Sequence, residues 1–125
     1  MQERRTFPRY AVDWPVTLQR QGVSPFRGSA CDVSGAGMAL KASRAAVLAL
    51  AQGGSVLMPG DRLELEVAAG GAMDPALAVG GRVRNVRRLS REEYQVAVRF
   101  EDLDPVQERV LDTLLEQARA CQPRP

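Results

Sequence analysis

The 125-residue sequence has no histidine, only two cysteines and no long apolar run. Without histidine it lacks the commonest general base, the usual catalytic triad and the ligand of most zinc sites. Cys31 and Cys121 are too few for a disulfide framework, which favours a reducing compartment. No segment approaches the ~18 apolar residues of a membrane span, and the N-terminus shows no apolar signal region. We therefore expect a cytoplasmic protein that is not an enzyme, needs no metal or cofactor and has no membrane span.

Positive charge is almost entirely arginine, since Lys41 is the single lysine among 17 cationic residues. The formal net charge of +2 is too small to indicate nonspecific nucleic-acid binding by the whole protein. Arginine nevertheless supplies planar, bidentate donors that suit phosphates and guanine edges. The positions of individual arginines are therefore more informative than their number.

Alternating apolar residues predict a mainly β protein. Val12 to Leu18 alternate as one strand, with Pro15 indicating an edge or a bulge. Further strands are predicted over 26–33, 38–42, 63–67, 78–86 and 95–100, with turns at 21–25 and 59–60, a loose loop over 68–75 and a hairpin over 88–93. Six short strands indicate a small antiparallel barrel.

Two helices are predicted beside these strands. Ser43 is placed to cap a short helix over 44–52, which Gly53 and Gly54 would end. The second helix, about 105–119, follows Asp104 as N-cap. Its apolar stripe would cover the open end or the flank of the barrel and consists of Val106, Val110, Leu111, Leu114, Leu115 and Ala118.

Two short motifs can carry ligand chemistry. Arg5 and Arg9 are four residues apart in a segment that Pro8 keeps from being a regular helix, so both forks can hold one anionic ligand from up to ~13 Å apart. In the segment 32–37, the carboxylate of Asp32 can accept from guanine N1 and N2, and Ser34 adds an adjustable hydroxyl. Gly35 and Gly37 are expected to permit positive φ and close approach.

Taken singly, either motif is explained by chance or by a plain turn. In this order, however, the sequence resembles the PilZ domain family, whose signature is Arg-x-x-x-Arg followed by Asp/Asn-x-Ser-x-x-Gly. The resemblance extends from Arg4 to the C-terminal helix, although Ala97 stands where the family often has glycine. The connection 44–57 is longer than usual and could hold a helix or a partner surface.

The resemblance implies a six-stranded antiparallel PilZ-type β-barrel over 10–120, preceded by a flexible basic arm over 1–9. It also implies a non-enzymatic receptor for cyclic di-GMP, with Arg5, Arg9, Asp32 and Ser34 as ligand contacts and Gly37 shaping the turn. Arg4, directly before the arginine pair, is similar to an arginine that in some family members favours the binding of two stacked ligand molecules per domain. Ordering of the arm would then relay binding to an effector protein in trans.

Two other functions remain open at this point. A degenerate PilZ-like scaffold in motility, pilus or exopolysaccharide machinery would not need the ligand. A single-stranded nucleic-acid binder is suggested by the arginines between 82 and 91, but Tyr94 is the only aromatic residue nearby for base stacking, so no DNA or RNA is expected. Arg82 and Arg84 are predicted to be a solvated outer surface.

Overall fold

A computed structural model describes residues 7–68 and 76–122 of the chain. The elements in chain order are β1 (Tyr10–Arg20), β2 (Val23–Val33), β3 (Gly37–Ser43), α1 (Arg44–Ala49), β4 (Arg62–Val67), β5 (Leu77–Arg88), β6 (Glu93–Glu101) and α2 (Pro105–Ala120). The loop predicted over 68–75 lies outside the described residues except for Ala68.

The six strands form a closed antiparallel barrel in the order β1-β2-β3-β6-β5-β4, with β4 pairing back onto β1. Leu63, Leu65 and Val67 of β4 point into the core, while Glu64 and Glu66 alternate with them on the exposed side. The same alternation buries Val96, Val98 and Phe100 of β6. The predicted six-stranded barrel with a C-terminal helix is therefore confirmed.

Two prolines sit where the strand pairing tolerates them. The β1–β2 register shifts between Ala11 and Trp14, immediately before Pro15, so the bulge alternative applies and not the edge. The turn predicted over 21–25 is shorter, because β2 already begins at Val23 and includes Pro25. Pairing of β2 with β3 starts only at Ser29, so the missing N–H of Pro25 removes no bond on that side.

The connection from β3 to β4 is partly helical and partly irregular. Ser43 caps α1 as predicted, accepting from Ala46 N at 3.1 Å. The helix ends at Ala49 instead of residue 52, because the chain turns there to bury Leu50 and Leu57 in the core. The Gln52 side chain then bonds both the N–H and the carbonyl of Arg62, which fastens the connection to the start of β4.

Helix α2 begins at a reciprocal cap that the sequence predicts. The Asp104 carboxylate accepts from Gln107 N at 2.7 Å, and the Gln107 side chain accepts from Asp104 N at 2.8 Å. Leu111, Leu114 and Ala118 are buried against the barrel. The prediction that Val106 belongs to this buried stripe is wrong, because Val106 is 60% exposed. None of the helices among the described residues has the length and apolarity to cross a membrane.

Candidate ligand groove

The residues just before β1 meet the turn between β2 and β3. Arg9 Nη1 lies 2.9 Å from Asp32 Oδ1, although the two residues are 23 positions apart in the chain. Both side chains reach solvent, at 62% and 29% exposure respectively. The fold thus brings one residue of each predicted motif into contact, Arg9 of the first and Asp32 of the second. Arg4 and Arg5 lie outside the described residues.

The turn after β2 is held by its own serine. Ser34 is only 3% exposed, and its hydroxyl accepts from Ala36 N at 3.1 Å and donates to Gly37 O at 3.4 Å. The Ser34 N–H also donates to Gly37 O at 2.9 Å. Outside the turn, Phe100 N donates to Ala36 O at 2.9 Å and ties it to β6. Ser34 therefore shapes the turn from inside and also lines the adjoining groove.

The two glycines of the motif are needed for close approach and not for positive φ. Among the described glycines, only Gly22 and Gly60 have positive φ, so that expectation for Gly35 and Gly37 is wrong. A Cβ on Gly37 would meet the Val98 carbonyl oxygen, because β3 and β6 are packed closely at this point. A Cβ on Gly35 would lie 2.7 Å from the Phe7 ring, which rests on the turn.

A groove of about 280 Å³ opens beside this turn. Arg9, Ser34 and Gly37 line one side, and β5 and β6 form the other. Its full lining is Arg9, Ser34, Ala36, Gly37, Met38, Arg84, Asn85, Ala97, Val98 and Arg99. Three guanidinium groups and no carboxylate belong to that lining, which suits an anionic ligand.

Arg84 and Arg99 were not singled out as binding residues by the sequence pattern. Arg82 and Arg84 are both exposed, as predicted, but their surroundings differ. Arg82 bonds both carboxylate oxygens of Glu101, and the hydrogen bond from Arg82 lowers the pKa of that carboxyl. Arg84 lines the groove instead. No local signal in the sequence marks Arg99, because its place at the groove follows from the pairing of β6 with β3, in which Arg99 is opposite Gly37.

Cys31 lies directly before Asp32 but is not part of the groove lining. Its thiol donates to Ala39 O at 3.4 Å. Burial, with the neighbouring Asp32 carboxylate as a smaller cause, raises the pKa of the Cys31 thiol. The thiol therefore stays protonated and serves as strand packing.

A second groove, of about 460 Å³, lies between residues 7–10 and α2. Phe7, Pro8 and Tyr10 form one side, and Leu111 and Leu115 of α2 belong to the other. The far end of α2 is joined to β1 by Gln122 Nε2, which donates to Ala11 O at 3.0 Å. The segment that carries Arg9 therefore lies between the β2–β3 turn and the C-terminal helix.

Comparison with known proteins agrees with this architecture. Residues 3–117 match the PilZ domain family. No curated protein sequence matches the chain significantly.

Several solved structures have a similar fold. The PilZ domain of Escherichia coli YcgR with c-di-GMP is 17% identical with a TM-score of 0.65, over 94% of this chain and 96% of that one. The Bacillus subtilis inhibitor of motility MotI/DgrA is 14% identical with a TM-score of 0.67, over 96% and 53%. The K. pneumonia MrkH–c-di-GMP complex is 17% identical with a TM-score of 0.65, over 94% and 52%. The chain spans about half the length of MotI/DgrA and MrkH, and identities this low establish the fold alone.

Proposed function

The chain belongs to the PilZ domain family, and from this membership we propose that it is a bacterial receptor for cyclic di-GMP, a ligand-binding protein and not an enzyme. The observation that carries the proposal is the meeting of Arg9 with Asp32 at 2.9 Å beside a groove lined by three arginines. The c-di-GMP bound in the YcgR and MrkH structures supports the choice of ligand.

The two charged groups would read opposite edges of the ligand. The Arg9 fork matches a phosphate, or the O6 and N7 acceptors of guanine, through two parallel hydrogen bonds. The Asp32 carboxylate accepts from the N1 and N2 donors of guanine. Ser34 and Gly37 hold the turn that keeps Asp32 beside the groove, and the Ser34 hydroxyl adds a contact where the groove reaches it.

Ligand binding would replace the Arg9–Asp32 ion pair. Both groups are engaged with each other without ligand, so each must turn toward the dinucleotide when it arrives. An exposed ion pair of this kind contributes about 0–1 kcal/mol. Charge-assisted bonds to a bound ligand contribute about 1.5–3 kcal/mol each, so the exchange favours binding.

The arm over 1–9 would complete the site on the barrel domain over 10–120. Ligand pockets usually enclose about 300–1,000 Å³, and the groove of about 280 Å³ is small for a dinucleotide. We assign Arg4 and Arg5 to the part of the ligand that the groove leaves uncovered. Arg4 would also allow a second stacked ligand.

Ordering of the arm would pass the signal to α2 and then to an effector protein. Phe7, Pro8 and Tyr10 face Leu111 and Leu115 across the second groove. A shift of Arg9 toward the ligand would therefore change the packing of the arm against the helix. Hydrogen exchange with and without cyclic di-GMP tests this, with slower exchange expected in 7–10 and altered exchange in α2.

Isothermal titration with cyclic di-GMP tests the binding itself. Saturable binding by the wild type is expected, with affinity reduced about 10- to 100-fold in Arg9→Ala and in Asp32→Asn, as loss of a 1.5–3 kcal/mol contact implies. Arg109→Ala removes the same charge from the exposed face of α2 and should leave the affinity unchanged.

Failure of the wild type to bind would overturn the receptor function. The family alternative, a scaffold in motility, pilus or exopolysaccharide machinery that works without ligand, would then account for the fold. Wild-type binding that all three variants retain would place the ligand elsewhere on the protein.

A further inference from the structure

The far side of the groove is built around a bulge in β5. Val83 pairs with Val98 and Asn85 pairs with Ala97, so Arg84 is an extra residue between two consecutive partners of β6. In a regular strand, Arg84 and Asn85 would point to opposite faces of the sheet. Here both are exposed and both line the groove, as expected where a bulge redirects side chains.

The bulge also lies beyond the part of β5 that pairs with β4. Pairing of β5 with β4 ends at the Arg62–Arg82 register, so Arg84 and Asn85 are paired toward β6 only. At these two residues β5 therefore has no strand partner, within the described part of the chain, on the side toward β4. A deformation there breaks fewer ladder bonds than one inside the β4–β5 ladder.

The arginines of β5 on the two sides of Val83 differ in whether they have an ion-pair partner. Arg82 is held by Glu101 and by the Gly60 carbonyl. Within residues 7–68 and 76–122, by contrast, no ion pair includes Arg84 or Arg99, and both line the groove with Arg9. Arg9 is already paired with Asp32, whereas Arg84 and Arg99 are like charges that line the same groove, and a bound anion would relieve the repulsion between them.

Building on the proposed function, we propose that Arg84 and Asn85 form a second ligand-contacting wall, opposite Arg9 and Ser34. Arg84 contacts cyclic di-GMP through its guanidinium fork, which matches the O6 and N7 acceptors of guanine. Asn85 offers one amide donor pair and one acceptor without charge, which fixes the orientation of the ligand. The β5 bulge is what presents two consecutive side chains to one ligand.

Calorimetric titration of cyclic di-GMP into β5 variants tests this wall. Arg84→Ala should weaken binding at least about tenfold, while Arg87→Ala should change it less than about twofold. Arg87 is the matched control because it is an exposed arginine of the same strand that bonds Gln95 and does not line the groove. Arg84→Lys keeps the charge but loses the fork, so it should also weaken binding several-fold.

A second pair of variants tests Asn85 at nearly constant shape. Asn85→Asp puts a carboxylate into the arginine-lined groove and should weaken binding of the anionic ligand at least about tenfold. Gln95→Glu introduces the same charge on β6 outside the groove lining and should have an effect of less than about twofold. Melting temperatures measured in parallel identify any variant that loses affinity by unfolding.

The outcomes separate this wall from the receptor function. Wild-type binding with equal affinities for Arg84→Ala and Arg87→Ala would overturn the second wall and leave the receptor function intact. Full affinity in Arg84→Lys would overturn the fork contact. If the wild type itself fails to bind, the proposed function fails and the wall fails with it.

Discussion

Gly37 is the position where a single added carbon should disturb the site most. A Cβ there would fall 3.0 Å from Arg99 Cα and still closer to the Val98 carbonyl oxygen, so both obstacles are backbone atoms of β6. Neither can swing aside as a side chain can. Gly37→Ala therefore has to separate β3 from β6 at the start of their seven-residue register.

The expected magnitude follows from the cost of overpacking. Forcing extra carbon into a packed site costs about 1–3 kcal/mol, and because the obstacles are rigid backbone atoms we expect about 3 kcal/mol for Gly37→Ala. At about 4 °C per kcal/mol for a chain of this size, the melting temperature should fall by about 12 °C.

Thermal unfolding followed by circular dichroism measures this effect, with two other glycines as controls. The three atoms nearest to a Cβ on Gly35 all belong to the Phe7 side chain and none to the backbone, so a smaller loss of about 1 kcal/mol is expected for Gly35→Ala. Gly53→Ala meets nothing within 4 Å and should stay within about 0.5 kcal/mol of the wild type. If Gly37→Ala melts no lower than Gly53→Ala, the close β3–β6 approach at the motif is refuted.

Three further predictions concern parts of the fold outside the groove. Asp104→Ala removes a helix cap and should lower the stability by about 1 kcal/mol, measured by urea unfolding; an unchanged midpoint would contradict the capping role of Asp104 toward Gln107. The Arg82 bond lowers the pKa of Glu101, so its stabilisation is complete above the ordinary carboxyl range and is lost as pH falls through the lowered value. Glu101→Gln should therefore melt below the wild type at pH about 7 with a smaller difference at pH about 3, and a difference independent of pH would argue against the ion pair. Val106→Gln should change stability by less than about 0.5 kcal/mol, and a larger loss would show that this exposed residue packs after all.

The barrel could be predicted from the sequence because its signals are local. Alternation in β4 and β6 follows from the two-residue period of a strand, and the capping residues of α2 act within one turn of the chain. Val106 fits the helical period equally well, yet it is exposed. The period identifies which residues share one face of a helix, but not which of them contact the barrel.

The groove was only half predictable, for a related reason. Arg9 and Asp32 belong to motifs whose ligand chemistry can be predicted from the sequence, and the two side chains form an ion pair in the structure. Arg84 and Asn85 line the groove through a register shift against β6, which depends on pairing between strands. A bulge without glycine leaves no mark in an arginine-rich strand, so the sequence indicated only an outer surface for Arg84 and gave no prediction for Asn85.

The central claim is that Arg9 and Asp32 bind one cyclic di-GMP, and a charge exchange tests it most directly. The double variant Arg9→Asp/Asp32→Arg keeps an ion pair at this position but reverses the groups offered to the ligand. We predict that titration calorimetry will detect saturable binding by the wild type and none by the exchanged variant, with the two proteins melting within a few degrees of each other, since the exposed pair itself contributes only about 0–1 kcal/mol. Wild-type affinity in the exchanged variant would contradict the account, because it would mean that the pair serves the fold and not the ligand.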